Sequence, residues 1–159
     1  MRVFLAAGVV AVSSVCGAFA QQPASPQTPA DRASYVSAAD VAAAMAKGGS
    51  PRSTNVRVFS FGPYNVNVEK RNPSPQGASM HEAVAELFHV IDGSGVIITG
   101  GTIPDGKKNG TNVSGKTIAG GTRQTLNKGD WVLVPSGVPH EFADIQGNLT
   151  LMSLYLPNP

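Results

Sequence analysis

The sequence predicts an all-β domain, a barrel or sandwich of short strands, preceded by one short helix. Three observations carry this. Apolar and polar residues alternate with period two in several segments, as in half-buried strands. Turn residues are abundant, with 18 Gly and 12 Pro among 159 residues, and they fall between those segments. Helical periodicity is confined to one alanine-rich stretch. Many short strands at such spacing form two packed sheets or a closed barrel.

The elements follow in order. Residues 1–20 (MRVFLAAGVVAVSSVCGAFA) have one Arg, a short apolar run and the small-residue end Ala18-Phe19-Ala20. This is the pattern of a secretory signal peptide cut after Ala20, and its apolar run is short for a membrane span. The expected location is periplasmic or extracellular. The only cysteine, Cys16, lies inside this segment. Val15 before it is bulky where a lipid-anchor signal wants a small residue. Any metal site in the mature chain must therefore use His and carboxylate ligands, and no disulfide can brace the fold. Residues 21–34, rich in Pro, Gln and Ala, read as a flexible linker. Within residues 35–50, Ser37 caps a helix whose first turn holds Asp40, the alanines propagate it and Gly48 stops it.

The main domain is expected over residues 55–157. Residues 56–59 and 64–69 alternate as strands, and Pro73, Pro75 and Gly77 mark a turn. Residues 86–91 and 95–99 read as two strands of a tight hairpin about Asp92-Gly93-Ser94. Residues 101–115, rich in Gly, Asn and Lys, read as an exposed insertion or a lid. Short strands follow at 117–118, 123–126, 131–134, 140–143 and 149–156. No internal repeat or second domain is visible, and about 140 mature residues suit one domain with a real core.

Net charge is +2, and it falls by one when Arg2 leaves. No basic stripe or like-charge block is present, so nucleic acid and polybasic membrane binding gain no support. The sites Asn112-Val-Ser and Asn148-Leu-Thr match glycosylation acceptors, a short pattern of low specificity.

Two stretches carry chemistry. In the first, Glu86 precedes an apolar strand. Residues two apart share a strand face, so Glu86, Phe88 and Val90 point one way, and Leu87, His89 and Ile91 the other. A carboxylate beside Phe88 and Val90 is costly unless paired or bound to a cation. His81 lies five residues earlier, across a bend. In the second stretch, residues 131–134 are a strand, Pro135-Ser136-Gly137 a turn, and His140 opens the next strand near the rim.

These stretches resemble the two motifs of the cupin superfamily. The second motif is Gly, five residues, Pro-x-Gly, two residues, His, three residues, Asn. Gly129, Pro135, Gly137 and His140 match it, with Asp144 where Asn is usual. In the first motif, Glu86 and Gly93 match and the second His of the pair falls on His81, while the first falls on Ser79. The resemblance covers residues 66–156. It implies a double-stranded β-helix (jelly-roll) barrel that often dimerises. It also implies a divalent transition metal, Mn, Fe, Ni, Cu or Zn, held by His81, Glu86 and His140.

Two His and one carboxylate converging would form an open, three-ligand centre. Glu82, adjacent to His81, points away by strand alternation, with a role as a fourth ligand or nearby base as the alternative. His89 faces opposite to Glu86, toward a sheet or dimer interface. Phe88, Trp131 and Phe142 are core residues or, with Ser79 and Glu82, line a pocket at the barrel mouth. Two functions fit: a metalloenzyme acting on a small organic molecule, or a metal-free module, small-molecule-binding or structural, without catalysis. The sequence singles out no catalytic residue and no reaction.

Overall fold

The structure, a computed structural model, describes residues 27–158. The expected signal peptide and its cleavage site lie outside the described residues. Residues 27 and 28, within the expected linker, are tied to the domain: the Thr28 amide donates to the Ser60 carbonyl at 2.6 Å. Gln27 Nε2 reaches the Ser60 hydroxyl at 3.0 Å. Helix α1 (Ala38–Ala46) starts where Ser37 accepts the Asp40 amide and buries no residue. It lies against β1.

Nine antiparallel strands follow. They are β1 (Ser53–Phe61), β2 (Tyr64–Arg71), β3 (Ala78–His81), β4 (Val84–Thr99), β5 (Lys107–Asn109), β6 (Asn112–Gly115), β7 (Thr122–Leu126), β8 (Trp131–Val134) and β9 (His140–Pro157). Two of them, β4 and β9, form the spine. Their ladder runs from Val84↔Pro157 to Thr99↔His140. The first half of β4 and the last half of β9 sit in one sheet, ordered β1-β2-β9-β4-β8. The other halves sit in a second sheet, ordered β7-β4-β9-β3-β6-β5.

This corrects the expected hairpin at residues 92–94. The chain does not reverse there; β4 continues and bends from one sheet into the other. Gly93 has φ 83°, and the register with β9 slips on both sides of it. A Cβ at Gly93 would collide with the Asn148 carbonyl oxygen. A turn-like sequence inside an apolar run therefore encodes a kinked strand, which is how one strand can serve two sheets. Likewise the two strands expected at 140–143 and 149–156 are one strand. Residues 117–118 form no strand; Ala119 makes a single bridge to Thr102.

The core fills the space between the sheets. Phe88, Val90, Leu149 and Leu151 from the first meet Ile97, Leu126, Phe142 and Ile145 from the second. Burial of each such side chain contributes roughly 1.5–3 kcal/mol. Asp144, where the resembled motif has Asn, adopts φ 47°. Asp and Asn are the side chains that best tolerate that region. Its carboxylate pairs with Arg123 on β7.

Residues 101–115 are mostly exposed, as the sequence implied. Within them β5 and β6 form a hairpin, and β6 pairs along the whole of β3, from Ala78↔Gly115 to His81↔Asn112. The segment is a wall of the second sheet, and it brings Asn112 beside His81.

Candidate metal centre

Glu86 faces inward from β4 with Phe88 and Val90, and it is 3% exposed. Across the ladder Glu86 stands opposite both Val134 and Tyr155. β3 ends at His81, and two residues of bend lead into β4, so the chain folds back and His81 approaches Glu86. The Pro135-Ser136-Gly137 turn locks this edge, because the Gly137 amide donates to the His81 carbonyl at 2.8 Å. His140 then opens β9, directly opposite Ser79.

These three residues converge. His140 Nε2 lies 3.3 Å from Glu86 Oε2, and His81 Nε2 lies 3.5 Å from the same oxygen. One ligand atom from each of the three falls within 4.8 Å of the others. The spacing is compatible both with ligation of a shared ion and with long hydrogen bonds from the imidazoles to Glu86. Charge-assisted N–H···O bonds close to about 2.7–2.9 Å. Ligand atoms about 2.1 Å from a common ion sit roughly 3.0–3.4 Å apart.

The surroundings set each group's protonation. Burial disfavours the Glu86 carboxylate, but hydrogen bonds from His140 and His81 outweigh it and hold the carboxyl at about 2. The hydrogen bond to Glu86 raises His81 above its ordinary 6.5, against the lowering effect of burial, with Asn112 adding to the rise. His81 Nδ1 is 2.7 Å from Asn112 Oδ1. An amide oxygen only accepts, so Nδ1 carries a proton; Nε2 faces Glu86, donating to it when the ring is protonated and offering a lone pair to an ion when it is neutral. That is how an outer partner orients a metal-ligating imidazole. His140 Nδ1 is buried with no such partner among the described residues, and the ring is positioned by packing beside Phe88, 6.0 Å away.

Tyr155 completes the floor. Its ring lies 5.7 Å from that of His81. Burial, then the neighbouring Glu86 and Glu69 charges, raise its hydroxyl well above the usual tyrosine range, so it stays protonated. Below it runs a polar network. Ser153 donates to Glu69 Oε1 at 2.5 Å, Arg71 donates to Glu69 Oε2 at 2.5 Å, and Asn67 donates to Ser153 at 3.3 Å.

The remaining sequence-derived candidates separate. Ser79 shares the face of His140 and His81 by register, so a hydroxyl stands where the resembled motif has a His. Phe88 and Phe142 are buried and meet edge to face at 5.1 Å just below His140. Glu82 points outward and pairs with Lys108 at 2.8 Å, so it is neither ligand nor pocket wall. Trp131 does not line the interior. It is 60% exposed and stacks on His89 outside the barrel, with centroids 4.1 Å apart. The reason is register: Trp131 pairs with His89, which faces away from Glu86.

Tyr155, Asn112, Glu69 and Arg71 escaped the sequence reading. Tyr155 is embedded in an apolar run, and Asn112 in a polar insertion. The alternation of β2 includes Glu69, but alternation alone does not say which of the two faces is inward. Asn67 and Glu69 are 2% and 3% exposed, and Val66 and Val68 face the other way.

No protein-family model matches the chain, and no curated protein matches it. Solved structures do. A Bacillus halodurans protein is 15% identical, with 69% of this chain and 74% of that one covered and a TM-score of 0.51. KdgF from Halomonas sp. is 14% identical, with 69% and 83% covered and a TM-score of 0.51. The likeness is one of fold: this chain is a jelly-roll barrel of the cupin kind, with a His-Glu-His cluster inside it.

Proposed function

We propose that this is an exported protein that binds a divalent transition metal through His81, Glu86 and His140 and acts on a small organic molecule inside the barrel. The observation that carries the reading is the spacing of one inward carboxylate oxygen from two imidazole nitrogens, 3.5 and 3.3 Å. Such an ion would supply Lewis-acid or oxygen chemistry at its open positions. The chain's own residues do the rest. Asn112 fixes the His81 tautomer. Phe88 and Phe142 close the site from below and exclude water. The protonated Tyr155 hydroxyl holds a hydrogen-bond donor toward the centre. Ser79 leaves a position open where a fourth ligand would otherwise stand.

The competing reading is a metal-free binding module. What favours it is that Glu86 already has two imidazole partners, so the cluster can satisfy itself. The two readings separate in a calorimetric titration of chelator-stripped protein with Zn²⁺, Mn²⁺, Ni²⁺ and Fe²⁺. One-to-one binding of at least one ion supports the metal centre. No heat from any of them, and no change in melting temperature, favours the module.

Export rests on residues 1–20, and mass spectrometry of the periplasmic or secreted protein should find an N-terminus at Gln21. A chain retaining Met1 there would contradict it.

A homodimer is the proposed assembly. Two apolar rows cross the outer face of the first sheet. One runs Trp131, His89, Met152, Val68 and Val56; the other runs Leu133, Leu87, Leu154, Val66 and Phe59. Trp131 and Leu133 are 60% and 57% exposed. A contiguous apolar sheet face of that width is what a second copy of the same sheet covers.

A further inference from the structure

Arg71 is an odd residue to find inside this barrel. It ends β2, its guanidinium carbon lies 4.5 Å above the Phe142 ring, and its side chain is only 20% exposed. Glu69 holds it from one side, but at a single point. Nη2 reaches Glu69 Oε2, while the other carboxylate oxygen is taken by Ser153. Arg71 Nε is buried and has no hydrogen-bond partner among the described residues. A guanidinium committed to a structural salt bridge commonly uses two parallel N–H groups. Here the fork is only partly used, and a buried N–H without an acceptor is costly.

Its place in the barrel gives that donor a use. Phe142, beneath the guanidinium, lies two residues beyond His140 on the same face of β9. Phe88, which meets Phe142 at 5.1 Å, lies two residues beyond Glu86 on the same face of β4. The Arg71 guanidinium, carried from a strand position opposite Leu149, therefore stacks on the residue one layer below His140, a step of roughly 7 Å along a strand. The Glu69–Arg71 pair sums to zero charge. A divalent ion beside the Glu86 carboxylate would leave one positive charge in the same enclosure. A low-dielectric interior with one uncompensated positive charge favours a monoanion.

We propose that Arg71 receives the carboxylate of a small organic acid bound inside the barrel, and that such acids are the substrate class of the site. The class inference rests on the metal-centre reading above. The Arg71 contact itself stands on the unpaired donor and its stacking on Phe142. Glu69 and Phe142 hold the guanidinium in place, so little ordering is left to be done when the acid arrives.

The test is an NMR titration of the Zn²⁺-loaded protein with propionate, lactate and benzoate, each beside its neutral amide. At least one acid should bind about tenfold or more tightly than its amide, the effect expected of one charge-assisted contact. Arg71→Gln should lose that preference while keeping its bound Zn²⁺. Arg71→Lys, which keeps the charge without the fork, should retain part of it and guards against a folding defect in the first variant. Equal binding of acids and amides by the Zn²⁺-loaded parent would overturn the proposal and leave the metal centre standing. So would an acid preference that survives Arg71→Gln. The same titration on chelator-stripped protein separates the two ideas. If the parent takes up no Zn²⁺, an Arg71-dependent acid preference still supports the contact, and its absence rejects it.

Discussion

Replacing Glu86 with Gln tests whether two imidazoles hold an ionised carboxylate inside the barrel. In chelator-stripped protein the folded carboxyl titrates at about 2, against an ordinary 4.5. A carboxyl with a depressed folded value stabilises the fold above its unfolded value, and that stability is lost as pH falls toward the folded one. The full gap corresponds to roughly 3 kcal/mol, of which roughly 2 kcal/mol should be lost between pH 5.5 and pH 3. The glutamine has no such limb. The difference in melting temperature between parent and Glu86→Gln should therefore shrink by about 6 °C over that interval. Comparing the two chains removes the background from other carboxylates. His81 supplies the opposite limb, because its folded value is raised above 6.5. Its contribution is fully present below 6.5 and fades as pH rises through the folded value. The cluster thus stabilises the stripped protein most between about pH 4.5 and 6.5. Thermal unfolding followed by circular dichroism across pH 3–8 reads both limbs. A parent-to-variant gap that stays constant from pH 5.5 to pH 3 would refute the idea that the imidazoles hold Glu86 ionised.

Three further outcomes follow from the same geometry. Asn112→Ala removes the acceptor that orients His81 and should weaken metal affinity about 10- to 100-fold in a chelator competition; affinity within twofold of the parent would remove Asn112 from the site. Gly93→Ala forces a Cβ against the Asn148 carbonyl at a left-handed position and should cost at least about 2 kcal/mol in urea unfolding, whereas an unchanged midpoint would contradict the kinked-strand account of β4. Trp131→Glu combined with Leu133→Lys should convert a dimer to a monomer in sedimentation velocity, and a parent that is already monomeric would reject the outer sheet face as the interface.

The cluster was legible in the sequence for a physical reason. Each ligand sits at a chain reversal: His81 at a bend, His140 after a Pro-x-Gly turn, Glu86 at the start of an apolar strand. Turn residues and strand alternation are both local signals. What was not legible depends on pairing between distant strands. Tyr155 reaches Glu86 only because β9 pairs with β4 in one particular register, and nothing near residue 155 announces that partner. Asn112 meets His81 because β6 adds to β3. The Gly93 kink resembles a hairpin turn in sequence, since both need a left-handed glycine, and only the pairing of both halves of β4 with β9 distinguishes them. The alternation in β2 is visible in the sequence, but alternation alone does not say which face is inward. Polar Asn67 and Glu69 face inward because the interior they line is itself polar, and the valines belong to the outer apolar face. Trp131 was misplaced for the same reason, as a large aromatic on the outer face rather than within the core.

The central claim is that His81, Glu86 and His140 hold a metal. The most direct measurement is the metal content of the exported chain, purified without a metal-binding tag and read by elemental mass spectrometry beside His140→Ala. Near one equivalent of Mn, Fe, Ni, Cu or Zn in the parent and almost none in the variant is the predicted result. Metal retained equally by His140→Ala, or absent from both after reconstitution, would contradict the account and leave the cluster a buried hydrogen-bonded triad.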